Sequence, residues 1–198
     1  NDLILLAAKA CQRAYKKNTD LGSMEYALTI EDYHGVPFQI LAMPGSNEFL
    51  DWVWNFTLLS WDGVKLCSYL AVKRVWQAVK NDIDPTMPLL VVGHSKAGPD
   101  ALRWKQKYGA DFCVALCPPP AFRPWKKVNL KDTAIVIDPD DVVPLAGTLS
   151  FNHPTTDTLV HLPREKAWYD PSRIGSDHVI DHIVQYFQGK VNLSKLEG

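Results

Sequence analysis

The sequence predicts an α/β domain built on a mostly parallel sheet with helices on both of its faces. Two observations support this prediction. Short apolar runs with the length of buried strands alternate with longer amphipathic segments, and one run, Leu89–Val92, leads at once into a glycine-rich turn and a helix. A length of 198 residues suits one domain with a substantial core, so we expect a single domain over residues 1–198.

Composition narrows the classes of function. Hydrophobic residues make up 46% of the chain and charged residues 22%, and no apolar run approaches the ~20 residues of a membrane span. A net charge of -1 gives no electrostatic footprint for nucleic acid. We therefore expect a soluble protein with no transmembrane segment and no nucleic-acid partner. The chain begins at Asn1 rather than Met, so secreted and cytoplasmic locations both stay open, and the oligomeric state is unknown.

The cysteines give no sign of a metal site. The chain contains Cys11, Cys67, Cys113 and Cys117, which lack the paired C-x-x-C spacing of zinc sites and are too few for a disulfide scaffold. We interpret them as reduced, buried thiols and expect no metal.

The first half of the chain predicts a helix, a hairpin and a second helix. Apolar residues recur at helical spacing in Leu3–Tyr15, while Tyr26–Ile30 and Phe38–Met43 are typical of strands. The turn His34–Pro37 joins those strands into a hairpin. Val64–Lys80 is again amphipathic, with its lysines opposite the apolar side.

A short apolar segment, Phe49–Phe56, follows the hairpin. Phe49 and Trp52 share one face of a predicted helix, and Trp54 broadens its apolar surface. An ordinary helix packed in the core would show the same apolar pattern as a functional one. Its position straight after a strand end also fits a mobile lid or a lipid-facing surface.

The second half continues the alternation of strands and helices. A helix is expected around Ala101–Lys105, buried strands at Asp111–Cys117 and Thr133–Ile137, and an edge strand at Asp157–Leu162. Ile180–Phe187 closes the chain as a helix, with a polar tail after it.

The turn Gly93–Gly98 has the pattern of a nucleophile elbow. Its sequence, GHSKAG, places Ser95 between small residues, and a sharp strand-to-helix turn has no room for larger side chains there. Ser95 would then stand at a helix N-terminus, where free N–H groups favour an oxyanion. A glycine-rich turn with a purely structural role is the alternative. We interpret His94 as a packing or hydrogen-bonding residue rather than a catalytic base, because its side chain points away from Ser95 in such an elbow.

A serine nucleophile needs a base, and the base needs a carboxylate. The acids that leave a strand after Ser95 are Asp138, Asp140 and Asp141, and the later histidines are His153, His161, His178 and His182. The order serine, acid, histidine is therefore available. Since ligands bind beyond the carboxyl ends of parallel strands, we expect Ser46, Ser95 and Asp141 at one edge of the sheet.

Together these motifs resemble the class 3 lipases, the α/β-hydrolase family that includes the fungal triacylglycerol lipases. Gly45-Ser46 is similar to the oxyanion turn of that family, Asp51-Trp52 to its lid pair and Gly93-His94-Ser95 to its elbow. Asp141–Pro144 is similar to its acid turn, and Ser176-Asp177-His178 to the context of its late histidine.

The chain departs from the family pattern at several positions. Pro44 stands where the family has arginine and Ala97 where its elbow has glycine, and Val64–Cys67 lacks a histidine and a glycine found in many members. The spacings between motifs are shorter than in the fungal enzymes. The resemblance therefore implies a compact α/β-hydrolase fold.

The same resemblance implies a serine hydrolase that cleaves carboxylic esters without a cofactor. Ser95 would be the nucleophile, His178 the base and Asp141 its supporting acid. The backbone N–H groups of Ser46 and Lys96 would form the oxyanion hole.

A lipid or another ester would be the substrate, contacted by Phe49, Trp52 and Trp54 and met at a lipid–water interface. A short-chain esterase or thioesterase on the same triad is one alternative. An inactive hydrolase fold that binds a lipid or a protein is the other.

The choice of base lies between His178 and His182. Gly175-Ser176-Asp177 is a loop and N-cap signature, so His178 is expected at the mouth of the last helix and His182 a full turn further in. A base must come within hydrogen-bond distance of Ser95, which favours His178.

Overall fold

A computed structural model describes residues 1–17, 26–45, 61–122, 128–139, 141, 143–145, 152–163 and 180–196. Within these ranges, the side chains of residues 16–17, 61–68, 145 and 190–196 are not described.

Four helices and six strands alternate along the described chain. The helices are α1 (Asp2–Lys17), α2 (Trp61–Val79), α3 (Ala97–Tyr108) and α4 (Ile180–Leu196), with a 3-10 turn at Val143–Leu145. The strands are β1 (Ala27–Tyr33), β2 (Val36–Met43), β3 (Leu89–His94), β4 (Phe112–Leu116), β5 (Asn129–Ile137) and β6 (Thr155–His161). The predicted α/β class is confirmed.

The six strands form one sheet in sequence order. β1 pairs antiparallel with β2, and every later neighbour is parallel. The hairpin turns through His34 and Gly35, whose φ angles of 54° and 82° lie in the left-handed region that two-residue hairpins favour. From β2 to β5, all carboxyl ends therefore lie at one edge of the sheet.

Helices cover both faces of the sheet because successive strand residues point to opposite sides. Leu90 and Val92 pack into a core with α1 and α4. Leu89 and Val91 pack into a second core with α2 and α3, where Trp104 is fully buried. Burial of one large apolar side chain contributes about 1.5–3 kcal/mol, so each face holds its helices firmly.

Most of the predicted elements are confirmed, and several of them are longer than predicted. β5 begins at Asn129, four residues earlier than the buried run suggested, because its exposed first half pairs with β6 through an irregularity between Leu130 and Ala134. The last helix continues to Leu196 through the residues expected as a polar tail. Four of the last seven helical residues are good helix formers, which favours the longer helix; they are Lys190, Leu193, Lys195 and Leu196.

In the part of the chain that the structure describes, no helix is both long and apolar enough to cross a bilayer.

Candidate active site

The candidate site lies where four parallel strands end. Gly45 follows β2, Ser95 follows β3, Cys117 follows β4 and Asp138 follows β5. Backbone hydrogen bonds continue past the strands and hold these ends together. The Ser95 N–H donates to the Leu116 carbonyl at 2.9 Å, and the Cys117 N–H to the Val136 carbonyl at 2.8 Å.

Ser95 occupies the sharp turn between β3 and α3. Its φ of 55° lies in the left-handed region that non-glycine residues rarely adopt, and it is buried, with 3% of its surface exposed. The Gly98 N–H donates to the Ser95 carbonyl at 2.9 Å and closes the turn. A strained serine between a buried strand and a helix has the geometry of a nucleophile elbow.

The glycines of the elbow are required by close packing. A Cβ atom on Gly93 would lie 2.1 Å from the Ala97 carbonyl oxygen, and one on Gly98 would lie 2.6 Å from Cβ of Pro118. Ala97 itself is buried. The turn therefore accepts a methyl group at position 97, where the lipase pattern has glycine.

Gly45 brings the end of β2 against the nucleophile. A Cβ atom on Gly45 would lie 2.8 Å from Cβ of Ser95 and 2.9 Å from the His94 carbonyl oxygen. Ser46 is the next residue in the chain but lies outside the described residues. Lys96 is exposed and precedes α3, where the first helical N–H groups have no partner within the helix.

Asp138 and His182 form a carboxylate–imidazole pair at this edge. Nδ1 of His182 lies 2.7 Å from Oδ2 of Asp138, and the aspartate is buried, with 1% of its surface exposed. His182 is the third residue of α4 and therefore lies in its first turn. An imidazole whose Nδ1–H donates to a buried carboxylate is oriented and supported as a general base requires.

Asp141 lies beside this pair and has different contacts. Its backbone N–H donates to the Asp138 carbonyl at 3.2 Å, and its Oδ1 accepts a hydrogen bond from the Val143 N–H at 2.9 Å. Asp141 is also buried, and its charge adds to the effect of burial in raising the pKa of Cys117. The described contacts of Asp141 thus shape the loop after β5.

The buried thiols are poor nucleophiles. The described cysteines, Cys11, Cys113 and Cys117, are free and buried, as predicted. Burial raises the pKa of Cys11 and of Cys113 from 9.0 to about 12, so both thiols stay protonated at neutral pH. Within the described ranges, no three His, Cys, Asp or Glu side chains converge as a metal site requires.

His94 packs as the elbow predicts. It is buried, and its ring meets that of Tyr15 edge-on, with 5.7 Å between the ring centroids. Nδ1 of His94 lies 2.8 Å from the Tyr15 hydroxyl oxygen. The sequence interpretation of His94 as a packing and hydrogen-bonding residue is confirmed.

Several predicted site residues lie outside the described residues. These are His178, Ser46, Phe49, Trp52 and Trp54. The structure brings Ser95, Asp138 and Asp141 to one edge, and their predicted partners stay predictions.

Sequence reasoning missed the contact between Asp138 and His182. Both residues were among the candidates, and each stands where the chain order serine, acid, histidine allows. The motifs predict Asp141 as the acid and His178 as the base instead.

A scan against protein-family models and a search of curated proteins found no match to this chain. Solved structures are similar in fold. The Lip2 lipase of Yarrowia lipolytica has a TM-score of 0.56 at 17% identity, over 73% of this chain and 63% of its own. A Rhizomucor miehei lipase propeptide complex has a TM-score of 0.45 at 13% identity, over 79% of this chain and 64% of its own. MDLA from Penicillium cyclopium has a TM-score of 0.44 at 16% identity, over 85% of this chain and 80% of its own.

The likeness to Lip2 shows the fold alone, since so low an identity carries no functional residue with it. The chain has a lipase-like α/β-hydrolase fold, with a six-stranded, mostly parallel sheet between helices. The chain spans 63% of the length of Lip2.

Proposed function

We propose that this chain is a serine hydrolase that cleaves carboxylic esters, with a lipid or another ester as its substrate. The setting of Ser95 supports the proposal most. The residue has a left-handed φ at the carboxyl edge of the sheet, next to the N-terminus of α3 and against Gly45. A lipase-like fold supports the same reaction class.

The proposed reaction passes through an acyl-enzyme. Oγ of Ser95 attacks the ester carbonyl carbon while a histidine takes its proton, and the carbonyl oxygen becomes an oxyanion. The backbone N–H groups of Ser46 and Lys96 stabilise that charge, with the Ser46 hydroxyl as a third donor. The histidine returns the proton to the leaving alcohol, and water then releases the acid. No metal or organic cofactor takes part.

Two acid–base pairs are proposed for this chemistry. The motifs, in their order along the chain, favour Asp141 as the acid and His178 as the base. The described contacts favour Asp138 with His182, because an Nδ1–H bond to a buried carboxylate is the contact that fixes the tautomer of a catalytic imidazole. We take Asp138 with His182 as the working assignment because of the 2.7 Å contact between Nδ1 of His182 and Oδ2 of Asp138.

The apolar segment Phe49–Phe56 is proposed as the substrate-facing lid. Phe49, Trp52 and Trp54 would contact the acyl chain at a lipid–water interface. In that case, the segment Phe49–Phe56 is the surface through which the chain contacts a lipid substrate.

Active-site labelling and turnover test the proposal. A fluorophosphonate probe should label Ser95 alone in the folded protein, and Ser95→Ala should lower hydrolysis of p-nitrophenyl esters by roughly 10³-fold or more. Heat-unfolded protein is the control for nonspecific labelling. Full activity in Ser95→Ala, or a label on another residue, would exclude Ser95 as the nucleophile.

The same assay separates the alternative functions. A series of p-nitrophenyl esters from acetate to palmitate should show turnover that rises with chain length for a lipase. A maximum at the shortest esters, or faster cleavage of matched thioesters, would indicate a short-chain esterase or a thioesterase. A folded protein that neither labels nor turns over any ester would be an inactive binding module.

A further inference from the structure

One hydroxyl joins the two loops that meet at Ser95. Tyr15, in α1, accepts a hydrogen bond at Oη from the Gly45 N–H at 2.6 Å. The same oxygen lies 2.8 Å from Nδ1 of His94. Since Gly45 follows β2 and His94 ends β3, Tyr15 ties a helix to the ends of two strands.

The Tyr15 hydroxyl can take part in both contacts of this bridge. A phenol oxygen accepts hydrogen bonds and has one O–H to donate, while a backbone N–H can only donate. The Gly45 N–H therefore donates to Oη, and the O–H can donate to Nδ1 of His94 when that nitrogen carries no proton.

A second contact from α1 holds the same strand end. Sγ of Cys11, one turn before Tyr15, lies 3.6 Å from the Met43 carbonyl oxygen. Two residues on one face of α1 therefore contact the last residues of β2 and the turn after it. The helix α1 therefore contacts the loop after β2 directly and restrains its position.

Gly45 is closely packed, so a small displacement of it would bring it into contact with its neighbours. A Cβ atom built on Gly45 would lie 2.8 Å from Cβ of Ser95 and 2.8 Å from Oη of Tyr15. Glycine is also the residue with the most backbone freedom, and Pro44 before it has no N–H to anchor the turn. The bond to Tyr15 supplies that anchor.

We infer that Tyr15 is a positioning residue for the oxyanion hole. Its hydroxyl holds the peptide before Gly45 in place, and the next peptide along the chain carries the Ser46 N–H. This inference rests on the proposed function, in which that N–H binds the oxyanion. Tyr15 acts through Gly45 and is not itself a catalytic residue.

Kinetics of Tyr15→Phe test the effect on the reaction. The variant keeps the ring that packs against His94 and removes only the hydroxyl. Loss of one oxyanion donor costs about 10²–10³ in kcat, so a misplaced donor should lower kcat roughly tenfold to hundredfold with KM nearly unchanged. Tyr33→Phe is the matched control, because Tyr33 packs against the same core from β1. It should keep wild-type kinetics.

Nuclear magnetic resonance tests the contact itself without any turnover. In Tyr15→Phe, the Gly45 amide should exchange with solvent at least roughly tenfold faster, because its acceptor is gone. The ¹⁵N shift of Nδ1 in His94 should also change, and neither should change in Tyr33→Phe. Circular dichroism confirms that each variant is folded.

The outcomes separate this inference from the proposed function. Wild-type kcat in Tyr15→Phe, or unchanged Gly45 exchange together with an unchanged His94 signal, overturns the positioning role. A wild-type protein that neither labels Ser95 nor cleaves esters overturns the proposed function, and Tyr15 then has no oxyanion to serve. Loss of Gly45 protection with a fall in kcat supports both.

Discussion

At the scale of single residues, the proposed nucleophile and the proposed base differ in how far the sequence could predict them. Ser95 is identified by its immediate neighbours, because glycine and alanine around a serine report a turn too tight for side chains. The contact between Asp138 and His182 spans 44 residues, and that between Tyr15 and His94 spans 79. No local pattern reports which distant side chains meet.

The helix boundary explains why the sequence favoured His178. It placed His182 a full turn inside the last helix, too deep for a base. In the structure, His182 lies in α4 and its Nδ1 is 2.7 Å from Oδ2 of Asp138, which follows β5. A position within the helix therefore does not exclude His182.

Paired variants decide between the two acid–base assignments. We expect His182→Ala and Asp138→Asn to lower kcat by roughly 10³-fold. The first removes the group that accepts the Ser95 proton, and the second removes the carboxylate that orients that group. His178→Ala and Asp141→Asn should each retain most of the activity. Ester turnover per folded molecule is the measurement, with the folded fraction taken from circular dichroism because Asp138 is buried.

The opposite result would identify the other acid–base pair. If His178→Ala and Asp141→Asn abolish turnover while the other two variants keep it, the motif assignment is right. The contact between Asp138 and His182 would then serve only to fasten α4 to the end of β5.

At the scale of elements, apolar runs made the buried strands predictable and the exposed parts of strands hard to see. β3 is buried throughout and β4 almost throughout, and both are mainly apolar, since helices cover both of their faces. The first half of β5 contains exposed Lys131 and Asp132, and only its pairing with β6 makes it a strand. Such pairing depends on a neighbour far along the chain.

The elbow is an element whose stability depends on one missing methyl group. Gly93→Ala would place Cβ 2.1 Å from a backbone oxygen that cannot move without unwinding the start of α3. We expect a loss of about 1–3 kcal/mol in the free energy of unfolding, as for overpacked cores, and loss of probe labelling at Ser95. Urea unfolding gives the first quantity.

Gly189→Ala in α4 is the matched control, with the opposite sign. Among the atoms that the structure describes, none lies within 4 Å of a Cβ atom at that exposed helical position. Alanine there should raise the free energy of unfolding by about 0.5–1 kcal/mol, because glycine is the poorer helix former. Equal effects from the two substitutions would show that the close contact at Gly93 is not what constrains the elbow.

At the scale of the whole molecule, the sheet separates two cores that each contain a buried thiol. Cys11 packs with α1 and α4 on one face, and Cys113 packs with α2 and α3 on the other. Alkylation needs the thiolate, and burial raises both pKa values from 9.0 to about 12. A folded pKa above the unfolded value means that thiol ionisation begins to favour unfolding only above pH 9. Labelling at pH 8 therefore reports opening without causing it.

If residues 1–198 form a single cooperative domain, both thiols become reactive in the same opening event. We expect Cys11 and Cys113 to react with iodoacetamide at pH 8 with equal protection factors, each rate being divided by its rate in guanidinium-unfolded protein and followed by peptide mass spectrometry. Both rates should rise with the same dependence on urea, because the same surface is exposed. Protection at Cys113 lower by roughly tenfold, about 1.4 kcal/mol, would show that α2 and α3 open separately and that the two faces are not one cooperative unit.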